Sequence, residues 1–457
     1  MGKCGKFLFI VASLIAVFVG VKIKECSKSP PIPTVPEPYW GPGKEVKDDT
    51  TIKPFKVNIS DNVLDDLKNR LLRHRLITKS LEDSNHHYGI NSALLSEVVD
   101  FWRNDYDWRK REVYLNKFPQ FKTQIQGLDI HYIHVKPDTN IQKIPLLILH
   151  GWPGSVREFY EIIPMLTEVQ KGRNFVFEIV APSLPGYGFS DGASKSGLGA
   201  VEMSAVLKNL MIRLGYKRFY VQGGDWGSTL AATMGTIYPD YVKGIHCNMC
   251  MNYNPVSYLK LFVASFYPTY FMTEKEVESI YPLSNLMSKH VLESGYFHLQ
   301  ATKPDTLGVG LNDSPVGLAA YILEKFIIGT NYSYRNRMDG GLKIKFDYNK
   351  LLDNVMIYWV TNSITTSMRL YSETVNVAQR KYNINKIETK VPSACAQFIN
   401  DLFYQPEWIL RDKYVNMVHL KNFDDGGHFA ALEVPGVLSQ DIFEAITKME
   451  VLETTKE

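Results

Sequence analysis

The chain has 457 residues, 45% of them apolar and 22% charged, with a formal net charge of +3. That apolar fraction excludes disorder over most of the length, and the balanced charge, without a long basic run, excludes a nucleic-acid binder. The five cysteines, a low and odd number for such a length, exclude a disulfide framework. Cys247 and Cys250 have CxxC spacing but no second ligand pair, so they read as ordinary buried thiols rather than a zinc or redox site.

In chain order, the first feature is an uncharged run of 15 residues from Phe7 to Val21. A spanning helix needs roughly 17–25 residues, and Ile23 extends the run past Lys22, whose stem can snorkel to the headgroups. The run is expected to be a membrane anchor, with a cleaved signal peptide as the competing reading. Lys3 and Lys6 precede it, while Lys22, Lys24 and Lys28 follow it, an excess that favours a cytoplasmic main body. Sequons at Asn58, Asn312 and Asn331 would favour the lumen if used. Residues 28–43 are rich in proline, which fixes φ and removes a donor, so an extended strap is expected. Tyr39 and Trp40 favour its docking on the body over a free linker.

Next come two helical stretches. Ser60 can cap one in which Val63, Leu64, Leu67 and Leu71 share a face, and the other covers about Ser92 to Trp102. The period then changes. Ile125 to Tyr132 reads as strand, turn and strand. Short apolar runs at Pro145–His150, Phe175–Val180, Arg218–Val221 and Ile245–Met249 alternate with helical stretches such as Val201–Leu214. Strand-like runs return at Ala394–Ile399 and Val415–Leu420. Such alternation predicts a mainly parallel sheet with helices on both faces. Between about Met251 and Tyr371 the pattern is helical and aromatic, as in an insertion. Seven aromatic residues fall between Tyr253 and Phe271, most of them expected in the core of that insertion.

The chemistry concentrates at Gln222-Gly223-Gly224-Asp225-Trp226-Gly227-Ser228, between a strand and a helix-compatible stretch. Glycines two before and two after a central residue are what a strained nucleophile elbow demands, since side chains there would strike neighbouring backbone. The central residue is Asp225 rather than serine. A free aspartate side chain titrates at about 3.9, so it is already ionised near neutral pH. It can attack an sp³ carbon bearing a leaving oxygen or halogen, giving an alkyl-enzyme ester. A histidine is then free to activate the water that hydrolyses this ester.

Among eleven histidines, His428 follows the last strand-like run, and the order nucleophile, acid, histidine is that of α/β-hydrolases. His150 ends a strand and reads as structural. His246 and His419 lie within strand-like runs and read as packing residues. His74, His86, His87, His131 and His134 precede the expected sheet and are placed at surfaces. The orienting acid should follow the penultimate strand, where Asp401 and Glu407 compete. The oxyanion that forms on Asp225 needs two backbone donors: the N–H of Trp226, next in sequence, and that of Trp152 in the His150-Gly151-Trp152-Pro153-Gly154 turn.

These motifs, together with the Tyr39-Trp40-Gly41-Pro42-Gly43 strap, Pro185–Ser190, Glu293-Ser294-Gly295-Tyr296 and Gly426–Glu433, resemble the microsomal epoxide hydrolases over nearly the whole chain. The juvenile-hormone branch of insects is the most similar. The resemblance implies an α/β-hydrolase fold with a helical lid, an N-terminal meander and an N-terminal membrane anchor. It divides the chain into anchor (1–24), strap and meander (25–120), core (121–250), lid (251–373) and core again (374–457). It assigns Asp225 as nucleophile and His428 as base. The family's acid is usually glutamate, and its position falls here on the shorter Asp401. Tyr296 and Tyr371 match two lid tyrosines that hydrogen-bond the epoxide oxygen. A phenol of pKa about 10 is protonated at neutral pH and can donate to a developing alkoxide. The partners implied are an apolar small-molecule epoxide, water and the endoplasmic reticulum membrane, crossed once. No cofactor or metal is required. A haloalkane dehalogenase would use the same nucleophile, but dehalogenases of similar fold usually carry asparagine where Trp152 stands and lack the tyrosine pair. A hydrophobic-ligand carrier on an inactive scaffold is the alternative outside enzymes.

Overall fold

The apolar runs form strands because the sheet is covered on both sides. The computed structural model describes residues 29–454. Its nine strands are β1 (Lys53–Phe55), β2 (Gln120–Ile125), β3 (Leu128–Val135), β4 (Gln142–Leu149), β5 (Phe175–Pro182), β6 (Phe219–Gly223), β7 (Val242–Asn248), β8 (Ser393–Phe398) and β9 (Met417–Phe423). They make one sheet in the order β1-β2-β3-β5-β4-β6-β7-β8-β9. From β5 onward the pairings are parallel, and β1, β2 and β3 extend the sheet antiparallel. Leu146, Leu147, Ile148 and Leu149 of β4 are all buried, as a strand enclosed on both faces requires. Helices Ala200–Arg213 and Trp226–Ile237 pack as one pair against the sheet, and Ile162–Thr167 with Pro435–Thr454 as another.

Three expectations are corrected. His131 and His134 are not at a surface: β3 belongs to the sheet, and both rings are buried. The His131 ring lies 2.9 Å from both Ser183 Oγ and Gln120 Oε1, and burial pushes its pKa down to about 3. His86 is buried too, and burial lowers its pKa. Second, Cys250 is not a plain thiol. It is bonded to Cys395 across 145 residues of sequence, because β7 and β8 run side by side with Cys247 in register with Cys395. Cys247 itself is free and buried. Third, the aromatic residues of 253–271 are not core, and all seven are exposed.

The strap lies on the body. Trp40 is buried, its N–H donates to Gln126 O at 2.8 Å, and Glu37 pairs with Lys208 at 2.6 Å. The expected anchor lies outside the described residues, and among those described no helix is long and apolar enough to cross a membrane.

Asp353 joins three parts of the chain. It sits fully buried on helix Tyr348–Thr361 and accepts from Arg111 Nε at 2.7 Å, Arg157 Nε at 2.9 Å and Tyr106 Oη at 3.1 Å. Removing one partner strands buried charge. Asp353→Ala is therefore expected to cost about 3–5 kcal/mol, which a denaturant unfolding curve would measure; a loss below about 1 kcal/mol would refute the role.

Candidate active site

The elbow has the geometry its glycines predict. Asp225 has φ 52° and ψ −125°, a conformation that a non-glycine residue holds only when its surroundings enforce it. A Cβ on Gly223 would stand 2.1 Å from Gly227 O, and one on Gly227 would stand 2.0 Å from Leu149 O. The turn can therefore be this tight only with glycine at both places. It lifts Asp225 from the end of β6 to the start of helix Trp226–Ile237.

One carboxylate oxygen of Asp225, Oδ1, accepts the backbone N–H of Trp152 at 2.7 Å. The other, Oδ2, lies 3.3 Å from His428 Nε2. His428 Nδ1 in turn lies 2.8 Å from Asp401 Oδ1, which also accepts the N–H of Leu402 at 2.6 Å. Asp225, His428 and Asp401 are thus brought into one chain of contacts. The rival acid Glu407 is elsewhere, at the start of a short helix and paired with Arg411. Trp226 opens its helix, and its ring packs edge-on to Tyr371 with centroids 4.8 Å apart.

Burial opposes a charge on His428, but the Asp401 and Asp225 carboxylates outweigh it and hold the pKa well above the ordinary value. His428 is fixed from the lid side as well. Its N–H donates to Gly329 O at 2.8 Å, and Phe429 stacks on Phe326 with centroids 4.0 Å apart. Tyr296 and Tyr371 face the same space from the lid. Their ring centroids are 6.2 Å apart, and Trp152 stacks on Tyr296 at 5.5 Å. Burial above all, with the charge of Asp225 adding to it, pushes both phenols above their ordinary pKa, so both keep their protons and can donate.

His150 holds the oxyanion loop: its Nδ1 lies 3.0 Å from Gly151 O, and its Nε2 accepts Leu184 N–H at 3.2 Å. Burial keeps it neutral, with a pKa down to about 4. His246 and His419 are buried and share Asp441 at 3.0 and 2.7 Å, with His246 Nδ1 left without a partner. Sequence reading passed over two buried carboxyls. Burial raises both Glu158 and Glu433 to about 8, so at neutral pH neither adds a negative charge beside His428. Glu433 accepts the N–H of Phe429 at 2.9 Å. The available signal was an acid within a motif that the site already uses, HGWPGSVREF in one case and GGHFAALE in the other.

A cavity of about 870 Å³ is lined by Trp152, Asp225, Tyr296, Tyr371 and His428. Thr229, Thr233, Ile384, Lys386, Lys289 and Phe403 line it as well. It is large enough for a long apolar molecule. An ionised carboxylate, a histidine–carboxylate pair, backbone N–H groups and protonated phenols converging on it suit opening of a strained C–O bond followed by ester hydrolysis.

Comparison with known proteins agrees. Residues 52–159 match a family model described as epoxide hydrolase N terminus, and residues 144–399 match one for the alpha/beta hydrolase fold. The chain is 49% identical to juvenile hormone epoxide hydrolase 1 of Ctenocephalides felis, over 98% of this chain and 96% of that protein. It is 45% identical to epoxide hydrolase 1 of Sus scrofa, over 88% and 91%. The crystal structure of juvenile hormone epoxide hydrolase from the silkworm Bombyx mori superposes with a TM-score of 0.90 at 45% identity, covering 91% of this chain and 99% of that one.

Proposed function

The chain belongs to the epoxide hydrolase family, and we propose that it converts a lipophilic epoxide, juvenile hormone or its acid, to the vicinal diol through an alkyl ester on Asp225. The observation that carries this reading is the placement of Asp225 Oδ2 3.3 Å from His428 Nε2, with Trp152 N–H on Oδ1, in a cavity walled by Tyr296 and Tyr371. Asp225 attacks one epoxide carbon while the two phenols donate to the oxygen that leaves it. His428, oriented by Asp401, then takes a proton from water, which attacks the carbonyl carbon of the ester. The N–H groups of Trp152 and Trp226 receive the oxyanion, and collapse returns the diol and the Asp225 carboxylate. Turnover of a panel holding juvenile hormone, fatty-acid and aromatic epoxides, with diol as readout, tests the substrate. Juvenile hormone should give the highest kcat/KM. Chloride release from haloalkanes without diol formation would reverse the reading.

The division into anchor, strap and meander, lid and two core parts is part of this proposal. So is attachment to the endoplasmic reticulum membrane by the uncharged run Phe7–Val21. The lysine excess after that run favours a cytoplasmic body. The Cys250–Cys395 bond opposes it, since disulfides persist in oxidising compartments. Asn58 decides between them, because it is exposed, whereas Asn312 is tied to Thr365 Oγ1 at 2.9 Å. With a cytoplasmic body, glycosidase should leave the gel mobility of cell-expressed protein unchanged. A shift lost in Asn58→Gln would place the body in the lumen.

A further inference from the structure

Helix Pro255–Ala264 is amphipathic in an unusual sense. It turns Ser257, Leu261 and Ala264 toward the body, where Ser257 meets Asn252 and Asp412. Its outward residues, Tyr258 and Phe262 among them, are apolar where a lid helix facing water would be polar. The surface continues through Phe266, Tyr267 and Tyr270, the last two 77% and 85% exposed. Lys260 is the only charged residue between 253 and 271, and Asp412 holds it at 2.7 Å. Charge resumes abruptly at Glu274, Lys275 and Glu276. A contiguous apolar face of this kind on a folded protein marks a binding surface.

Its position says what it binds. Tyr253 and Pro255, at the start of this segment, line the cavity that holds Asp225. Next to Asp412, Lys413 donates to the carbonyls of Ile384 and Ile387 at 2.8 and 2.6 Å, and Ile384 and Lys386 line the same cavity. Glu388 N–H donates to Ser29 Oγ at 3.1 Å, and Ser29 is where the described chain begins. The uncharged run Phe7–Val21 lies eight residues upstream in sequence. Arg380 and Lys386, which line the cavity, and Lys381 beside Arg380 are exposed and suit anionic headgroups. Exposed tyrosines and phenylalanines suit the headgroup–acyl boundary.

We propose that the outward face of residues 255–271 inserts into the lipid interface beside the cavity rim, so that a lipophilic epoxide passes from bilayer to Asp225 without crossing water. The lipophilic substrate rests on the function proposed above; the lipid contact does not.

The test uses the full chain with phosphatidylcholine vesicles containing phosphatidylserine. Tyr270→Trp places a fluorophore on the face, and Val113→Trp, on the exposed side of helix Trp108–Leu115, is the control. Brominated acyl chains should quench the added emission at 270 and not that at 113. A chain that floats with vesicles while Trp emission at 270 stays unquenched overturns the proposal and leaves the anchor standing. Quenching that persists after Leu14→Lys and Val17→Lys supports the face even if the anchor fails. A signal at 270 that changes with protein concentration in the absence of vesicles assigns the face to a second copy and overturns the proposal. In F262S/Y267S/Y270S, KM should rise several-fold for an epoxide dissolved in vesicles and stay unchanged for a short water-soluble one. An equal effect on both would overturn the route. Hydrolysis of neither epoxide by the unsubstituted protein would refute the activity, while the quenching result would still decide the contact.

Discussion

Asp225→Ala is expected to abolish diol formation, lowering kcat/KM by roughly 10⁴-fold or more, the scale seen when a covalent nucleophile is removed. No neighbour can replace it. Glu158 and Glu433 have pKa values raised to about 8 and are protonated at neutral pH, and Asp401 is turned to the far nitrogen of His428. The mechanism also fixes where oxygen goes. In a single turnover of the unsubstituted enzyme in heavy-oxygen water, the label should enter the Asp225 carboxylate, because water attacks the ester carbonyl and the diol keeps an oxygen that began on Asp225. Label in the first-turnover diol, or full activity in Asp225→Ala, would end the proposal.

His428→Gln is expected to separate the two halves of the reaction. Asp225 is still in place and Tyr296 and Tyr371 still donate, so the epoxide should open once. The ester should then persist, giving a burst of one equivalent, a mass increase equal to the substrate, and steady turnover lower by about 10²–10⁴-fold. Absence of a covalent adduct would refute this division of labour. The electrostatics explain why one histidine can serve a step that needs it neutral. In the resting site two carboxylates raise the His428 pKa, so the imidazolium is favoured near neutral pH. Alkylation removes the charge of Asp225, and with it one of the two groups that raise that pKa. The pKa therefore moves down, which favours release of the His428 proton at the stage where water must be activated. Asp225→Asn imitates that loss, so a magnetic-resonance titration should find His428 more acidic there than in the unsubstituted protein. Ester hydrolysis should slow as pH drops through the lowered value.

Local rules made much of this site legible. A close-packed turn admits only hydrogen at Gly223 and Gly227, so the elbow announced itself through its glycines, and the choice of aspartate at 225 set the chemistry. His428 followed from its place after the last strand-like run. Chain order favoured Asp401 with Glu407 as a rival in the same loop, and the structure brings Asp401, not Glu407, to His428 at 2.8 Å. Glu158 and Glu433 stayed unread because burial, not sequence spacing, determines whether a carboxyl is charged.

The sequence by itself determined the tight turn that carries Asp225, the alternation that builds a parallel sheet, and the uncharged run at the start. Each depends on neighbours within a few residues, where steric and periodic constraints act. Only the tertiary structure decided that Cys250 meets Cys395, that His131 and His134 are buried in an antiparallel extension of the sheet, and that Tyr258, Phe262, Phe266, Tyr267 and Tyr270 are exposed. Those outcomes depend on which surfaces come together from 11 to 145 residues apart in sequence, or on a surface left without a protein partner. An aromatic stripe has the same hydrophobicity whether it fills a core or faces a bilayer, and what separates the two is the body packed against the opposite side of its helix.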